Sequence, residues 1–263
     1  MEDNMPEIII NDSNFDIHMF SGQGGLVPRN FTTHPVGYVA CAKPFDLPLI
    51  PESEWQSRLD ALNASGMLLS QIRAKGNAGQ PIPSRDQDSI GYCWCHSPVS
   101  ACLLMRAVAN EPYEDLSPFA IGCMIKGFQD QGGWNAEAVE FMGTRGCPTS
   151  QFWPQRSMSR PNDNPATWEN AKKYRYLEWM DLDPRNMKAQ MVTCLLMGMA
   201  LATDHNWWAH SICTCDLVSL TPFRTRIWNS WGDSWSENGM GILQGSRAIP
   251  DAAIACRVVT AAI

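Results

Sequence analysis

The chain has 263 residues, of which 44% are hydrophobic and only 18% charged, and its formal net charge is −7. That length suits one large domain or two packed lobes. The acidic balance argues against a nucleic-acid binder, which would carry a basic stripe, and the longest apolar stretch, Met191 to Ala202, is too short to span a membrane.

Residues 1–43 read as an extended arm. Apolar runs are short there, Asn, Gly, Pro and Thr are frequent, and the arm holds Gly22-Gln23-Gly24-Gly25 with Pro28 and Pro35. From Pro51 to Ile72 the pattern turns helical, with Trp55, Leu59, Leu62 and Leu69 near a 3.6-residue spacing. Residues 75–85 form a Gly- and Pro-rich loop. Cys93 to Val108 is an apolar helical segment. Ser117 is an N-cap for a helix from Pro118 to Gly127, with proline at its first position. Asn135 opens another helix, Ala136 to Met142, closed by Gly143. Pro154 to Pro165 is an irregular loop, and Ala166 to Tyr174 a short helix.

Asp183-Pro184 reads as N-cap and proline opening a helix that runs to about Met197. Beyond it the pattern changes to strands. His210 and Ile212 alternate with Ser211, Cys213 and Cys215, Arg224 to Asn229 is a second strand, and Gly239 to Leu243 a third. Helices first and strands later predict an α+β fold with a helical lobe over about 86–180 and a β lobe over about 181–263, within one domain spanning 44–263.

Ten cysteines could form disulfides. The acidic start, Met1-Glu2-Asp3-Asn4, and the short run Ile8-Ile9-Ile10 do not make a secretory signal. A reducing compartment is therefore expected, where cysteines behave as small buried hydrophobes. The Cys93-x-Cys95 and Cys213-x-Cys215 pairs are spaced too tightly for structural zinc, and neither metal nor cofactor is expected.

Chemistry concentrates in three stretches. Gln87 stands six residues before Cys93-Trp94, Ala209-His210-Ser211 follows much later, and Asn229-Ser230-Trp231-Gly232 lies 19 residues after the histidine. A thiol, an imidazole and a carboxamide in that order can make a Cys-His-Asn unit: thiolate attacks, imidazole moves the proton, amide orients the ring. Each piece also has an ordinary reading as a core cysteine, a satisfied histidine or a strand-capping asparagine. His205 is a competing base, but Asp204-His205-Asn206 reads as a turn, and Trp207 and Trp208 as packing residues.

Over roughly residues 86–150 and 186–245, the chain resembles papain-like cysteine peptidases. The resemblance implies a two-lobe papain-like fold, helical on the left and β-barrel-like, antiparallel, on the right. It implies Cys93 as nucleophile, His210 as base and later acid, Asn229 as its orienter, and Gln87 as an oxyanion donor beside the Cys93 amide. Gly132, Gly133 and Trp134, in a stretch similar to the family's Cys-x-Gly-Gly, would bind substrate together with Trp94 and Trp231; Trp231 would cover the His-Asn bond.

The chain also departs from the family pattern. Ile90 and Asp130 stand where two paired half-cystines are expected, so that bridge is absent as a unit. Tyr92 replaces a small residue and would narrow the cleft or supply a hydrogen bond. Pro98 allows two arrangements. Either the helix starts at Ser97-Pro98 and Cys93 loses dipole support, or Cys93 and Trp94 form its first turn with proline inside. The arm is too short and irregular for the family's inhibitory pro-region, and is expected to be tied down on its own domain or on a neighbour.

Two functions follow as expectations. One is a peptidase acting on a peptide or protein substrate. The other is a weak or inactive papain-like domain serving as a structural or binding part of a large assembly such as a phage virion, with the arm contacting other subunits. An amidase or transglutaminase-like enzyme is a third option. The expected location is cytoplasmic or virion-associated, with neither nucleic acid nor membrane as partner.

Overall fold

The structure is a computed structural model, and it describes residues 6–19, 24–39, 42–76 and 79–259. Gly22 and Gln23 of the glycine run, the acidic start and Cys41 lie outside the described residues.

Eight strands form one mixed sheet. In chain order they are β1 (Ile9–Ile10), β2 (Ala42–Pro44), β3 (Tyr176–Asp181), β4 (Leu201–His205), β5 (His210–Leu220), β6 (Phe223–Trp228), β7 (Met240–Gln244) and β8 (Ala252–Val259). Their spatial order is β1-β7-β6-β5-β4-β8-β3-β2. All interior pairings, from β7 across to β3, are antiparallel. Both edge pairings are parallel, β1 on β7 and β2 on β3. The N-terminal segment therefore supplies both edge strands of a sheet whose other members come from the last third of the chain.

Both faces of the sheet are covered. Cys213, Cys215, Trp228, Ile254 and Cys256 face a core built around helix α4 (Cys93–Val108). Ile212, Leu217, Ile227, Ala253 and Ala255 face a second core with α2 (Glu52–Ser65) and α8 (Met187–Leu196). Strand residues thus alternate between two apolar environments. The helical side is completed by α3 (Leu69–Lys75), α5 (Pro118–Ile125), α6 (Asn135–Thr144) and α7 (Pro165–Ala171); a short helix, α1 (Phe15–His18), lies in the arm.

Several sequence expectations change in detail. The helix expected over Pro51 to Ile72 is two helices, because Gly66 takes a left-handed conformation (φ 69°) that ends α2. The helix expected after Asp183-Pro184 begins with a 3-10 turn, Pro184–Asn186, whose first amides are met by the Asp183 side chain through Arg185 N. Ser117 precedes α5 but makes no side-chain cap. Asp204-His205 is not a turn: both residues belong to β4, and the turn is formed by Asn206–Trp208. Strands β1, β2, β3 and β8 have no counterpart among the sequence expectations, and β4 has none beyond the general change to strands after Met197.

Candidate active site

Helix α4 begins at Cys93 and continues through Pro98 for 16 residues. This selects the second of the two proline arrangements. Proline has no amide for the Trp94 carbonyl one turn earlier, but the surrounding core carries the helix: every residue from Cys93 to Leu104 is buried, and Tyr176 Oη donates to the Pro98 carbonyl at 3.0 Å. Cys93 therefore sits at the positive end of the helix dipole.

The segment preceding the helix is fastened without a disulfide. Asp130 accepts the Gly91 amide on Oδ1 at 2.8 Å, and Tyr92 Oη donates to the Gln129 carbonyl at 2.7 Å. The segments that hold Ile90 and Asp130 are thus joined by hydrogen bonds made by Gly91 and Tyr92. Tyr92 supplies a hydrogen bond, and its ring lies against Phe119 of α5.

On the sheet side, His210 opens β5 and Asn229 follows β6. His210 Nε2 lies 2.9 Å from Asn229 Oδ1. The same oxygen accepts the Ser230 amide at 2.8 Å, which fixes the carboxamide with its oxygen toward the ring. Trp231 lies over the imidazole with 4.8 Å between ring centroids, and Trp208 meets it edge-on at 5.0 Å. His205, the competing base, faces His210 in register across the strands; it is fully buried and its Nε2 is 3.2 Å from Thr203 Oγ1.

The sulfur of Cys93 accepts the Ser211 amide at 3.4 Å, one residue from His210. The Gly25 amide, which donates to the Ala209 carbonyl, also lowers the thiol's proton affinity from the arm side. His210 Nδ1 is buried and makes no hydrogen bond, so sulfur and ring stand at the same seam without being joined. Burial pushes the Cys93 thiol up to about 12, against the lowering effect of the Ser211, Gly25 and Trp94 amides. Burial pushes His210 down to about 4, partly offset by its bond to Asn229. Both groups are therefore neutral at pH 7 in this state.

Gln87 is tied to the same unit. Its backbone amide donates to the Ser230 carbonyl at 2.8 Å, Ser230 Oγ donates to its Oε1 at 2.5 Å, and its Nε2 donates to the Ile90 carbonyl at 3.0 Å.

The seam is filled by the chain's own arm. The Gly25 and Leu26 amides both donate to the Ala209 carbonyl at 3.1 Å. Val27 N donates to the Gly133 carbonyl at 2.7 Å, and Gly133 N to the Gly25 carbonyl at 2.9 Å. Gly132 and Gly133 thus meet a backbone, but one that belongs to residues 25–27. Trp94 is fully buried, its Nε1 donating to the Gly91 carbonyl at 3.1 Å. Trp134 packs against His34 and Tyr38 of the arm.

Sequence reasoning missed three contributors. Ala209, in a left-handed conformation (φ 49°), aims the carbonyl that the arm uses. Ser230 was visible inside Asn-Ser-Trp-Gly but carried no assigned role. Asp204 is paired with Ser211 across β4 and β5. It accepts the Asn135 amide on Oδ2 at 3.4 Å and keeps Oδ1 buried without a partner. No periodic signal marks such a residue. Among the described residues, no group of three or more His, Cys, Asp or Glu is placed to hold a metal ion, and no helix is long and apolar enough to cross a membrane.

No family model matches the chain. It is 27% identical over 172 residues to cathepsin L 1 and 26% identical over 174 residues to cathepsin L 2, both of Paramecium tetraurelia, covering 59% of this chain and 53% of each relative. The chain thus spans about half the length of the curated relatives it matches. Among solved structures, xylellain, a cysteine protease from Xylella fastidiosa, superposes with a TM-score of 0.58 at 16% identity, over 89% of this chain and 99% of that one. A structure from work on the mite allergens Blo t 1 and Der p 1 gives 0.60 at 15% identity, over 95% and 83%. These structural likenesses establish the fold. The chain thus has the papain-like fold, and its sequence is similar to that of the cathepsin L pair.

Proposed function

We propose that the chain hydrolyses peptide bonds with Cys93 as nucleophile, His210 as proton carrier and Asn229 as the group that fixes the ring. The supporting observation is the 2.9 Å contact between His210 Nε2 and Asn229 Oδ1, which leaves Nδ1 as the nitrogen free to take a thiol proton. In the reaction His210 removes that proton and the sulfur attacks the substrate carbonyl carbon. The C–N bond breaks as the imidazolium protonates the leaving amine, and water then hydrolyses the thioester by the reverse proton route. Gln87 and the Cys93 amide, at the head of the helix, serve as oxyanion donors. Sulfur and ring join once residues 24–27 leave the seam, which also removes the burial that keeps both groups neutral.

The test is alkylation of the full chain at neutral pH with an epoxide or iodoacetamide warhead, followed by mapping of the adduct. Cys93 is expected to be modified ahead of the other cysteines, all buried where described, and His210→Ala should abolish that preference. Equal, slow labelling of several cysteines would instead support the second reading, a papain-like domain without hydrolytic activity. The closed seam and the unjoined sulfur and ring favour that alternative.

Ser230 is a positioning residue in this scheme. Its hydroxyl holds the Gln87 carboxamide oxygen, and its amide holds that of Asn229. Ser230→Ala should lower kcat about tenfold, as expected for a loosened oxyanion donor, with KM little changed and the thermal midpoint within a few degrees of the parent. A drop confined to KM in steady-state kinetics would contradict the assignment.

A further inference from the structure

We propose that the buried guanidinium of Arg85, set between helix α4, strand β6 and a surface cavity, is a binding site for a weakly hydrated monovalent anion of the chloride class. The inference does not rest on the peptidase reading; it concerns the joint between the helical side and the sheet.

Among the described residues, the buried arginines are Arg29, Arg73, Arg85 and Arg106. Arg29 holds Asp181, Arg73 holds Asp233, and Arg106 lies 3.7 Å from Glu111. Arg85 is 7% exposed and, among the described residues, pairs with no carboxylate. Its Nη2 donates to Ser100 Oγ at 2.8 Å, while Nε and Nη1 are buried without a hydrogen bond. An arginine in a protein does not lose its proton. A buried charge without a counter-charge is strongly destabilising, and orphaned donors on that charge call for an acceptor that is itself negative.

The inner surroundings add a further donor. Ser100 belongs to α4, and Trp228, at the end of β6, presents its ring centre 5.7 Å from Arg85 Cζ. His96 is one turn before Ser100 and therefore on the same face of α4. It is buried, and neither of its ring nitrogens has a hydrogen bond. Burial, and after it the charge of Arg85, hold its imidazole well below the ordinary value, so it is neutral and carries one unused N–H.

On the outer side, Arg85 lines a cavity of about 610 Å³ with Ser84, Tyr113, Asp115, Gln155 and Arg156. Burial raises the Tyr113 phenol to about 12 and the charge of Arg85 opposes that rise, so the guanidinium acts on the cavity wall. The other charges there are already engaged. Arg156 Nη2 donates to Asp86 Oδ2 at 2.7 Å, and Asp115 Oδ1 accepts Gln155 Nε2 at 2.9 Å and Tyr113 Oη at 3.4 Å.

The class of anion follows from hydration. A guanidinium is weakly hydrated, and its neighbours here are an indole ring and a hydroxyl. A divalent oxyanion, or fluoride, would give up a hydration shell that these groups cannot replace. Chloride or bromide balances the single charge at a smaller desolvation cost. Bound there, it would fasten α4 to the segment behind Asn229: the Arg85 carbonyl accepts Gly232 N at 3.1 Å, and Ser84 Oγ donates to the Asn229 carbonyl at 2.7 Å.

The test uses the full chain, with sodium fluoride replaced by sodium chloride or bromide at constant ionic strength. The thermal midpoint should rise by about 2–4 °C in either salt, as for a site filled several-fold above its dissociation constant. Arg85→Met should respond equally to all three salts. Ser100→Asp, which places a carboxylate beside Nη2, should raise the midpoint in fluoride and remove the response to chloride. Crystals soaked in bromide should show an anomalous peak within hydrogen-bond reach of Arg85 Nε or Nη1, a readout that serves if the variants do not fold. Equal midpoints in fluoride and chloride would overturn the proposal. So would a chloride response that persists in Arg85→Met, or bromide peaks at exposed arginines alone, which would mean an adventitious ion only.

Discussion

Cys93→Ala is expected to reduce kcat/KM for a fluorogenic peptide by about 10⁴-fold or more, with the fold intact. Removal of a nucleophile or of its base generally costs this much, because the remaining groups cannot perform the step alone. His210→Ala should fall by a similar factor, and the double variant should be no worse than either single one, since the two residues act as one unit. Asn229→Ala should cost less, on the order of 10²-fold, because it removes the orienter and leaves nucleophile and base in place. Activities are compared with the arm present in every variant, so the fraction of open molecules cancels in the ratio. Independent, multiplicative losses for Cys93 and His210 would contradict a shared proton transfer.

Asp204→Asn is expected to stabilise the chain at neutral and alkaline pH and to have no stabilising effect near pH 4. Burial pushes the Asp204 carboxyl from an ordinary 3.8 up to about 7, against the lowering effects of Ser211, the Asn135 amide and the charge of Arg29. The folded chain thus retains a proton that the unfolded chain releases between about pH 4 and pH 7. Over that window the unfolded state binds fewer protons, so stability falls as pH rises, and above pH 7 the whole penalty is present. A difference of this size corresponds to on the order of 4 kcal/mol. An asparagine keeps an oxygen for the Asn135 amide and has no charge to desolvate. Urea denaturation of parent and variant at pH 4, 6 and 8 should therefore show curves that diverge with rising pH. Parallel curves would show that the carboxyl is not held in a buried, protonated form.

The stretches that make up the candidate site were legible in the sequence because they form short, rigid local frames. Cys93 opens a helix behind Gln87, and Asn229 directly follows β6, with its next two residues also touching the unit. Residue types at fixed short spacings brought these stretches forward. The strands β4 and β8 were harder to read for a physical reason. Leu201-Ala202-Thr203 and Ala252-Ala253-Ile254-Ala255-Cys256 are buried on both faces, so the two-residue polar alternation that marks a half-exposed strand is missing. Asp204 looked like part of a turn because a charged residue inside a fully buried strand runs against composition. The course of the arm was illegible for another reason. Gly24-Gly25-Leu26-Val27 has no period of its own, and its place is set by Ala209 and Gly133, distant in sequence. The arm was expected to be fastened somewhere; that it crosses the cysteine could come only from the assembled seam.

The arm also pairs at either side of its crossing, through Ile9–Ile10 on β7 and Ala42–Pro44 on β3. A segment moored at both ends cannot diffuse away when it lifts; it returns as an intramolecular ligand whose effective concentration is of roughly millimolar order. A short peptide offered in solution competes against that standing excess and will look like a poor substrate even if its intrinsic fit is good. Severing the chain on both sides of the crossing would turn the segment into a free ligand that dilutes away, and so would remove the handicap.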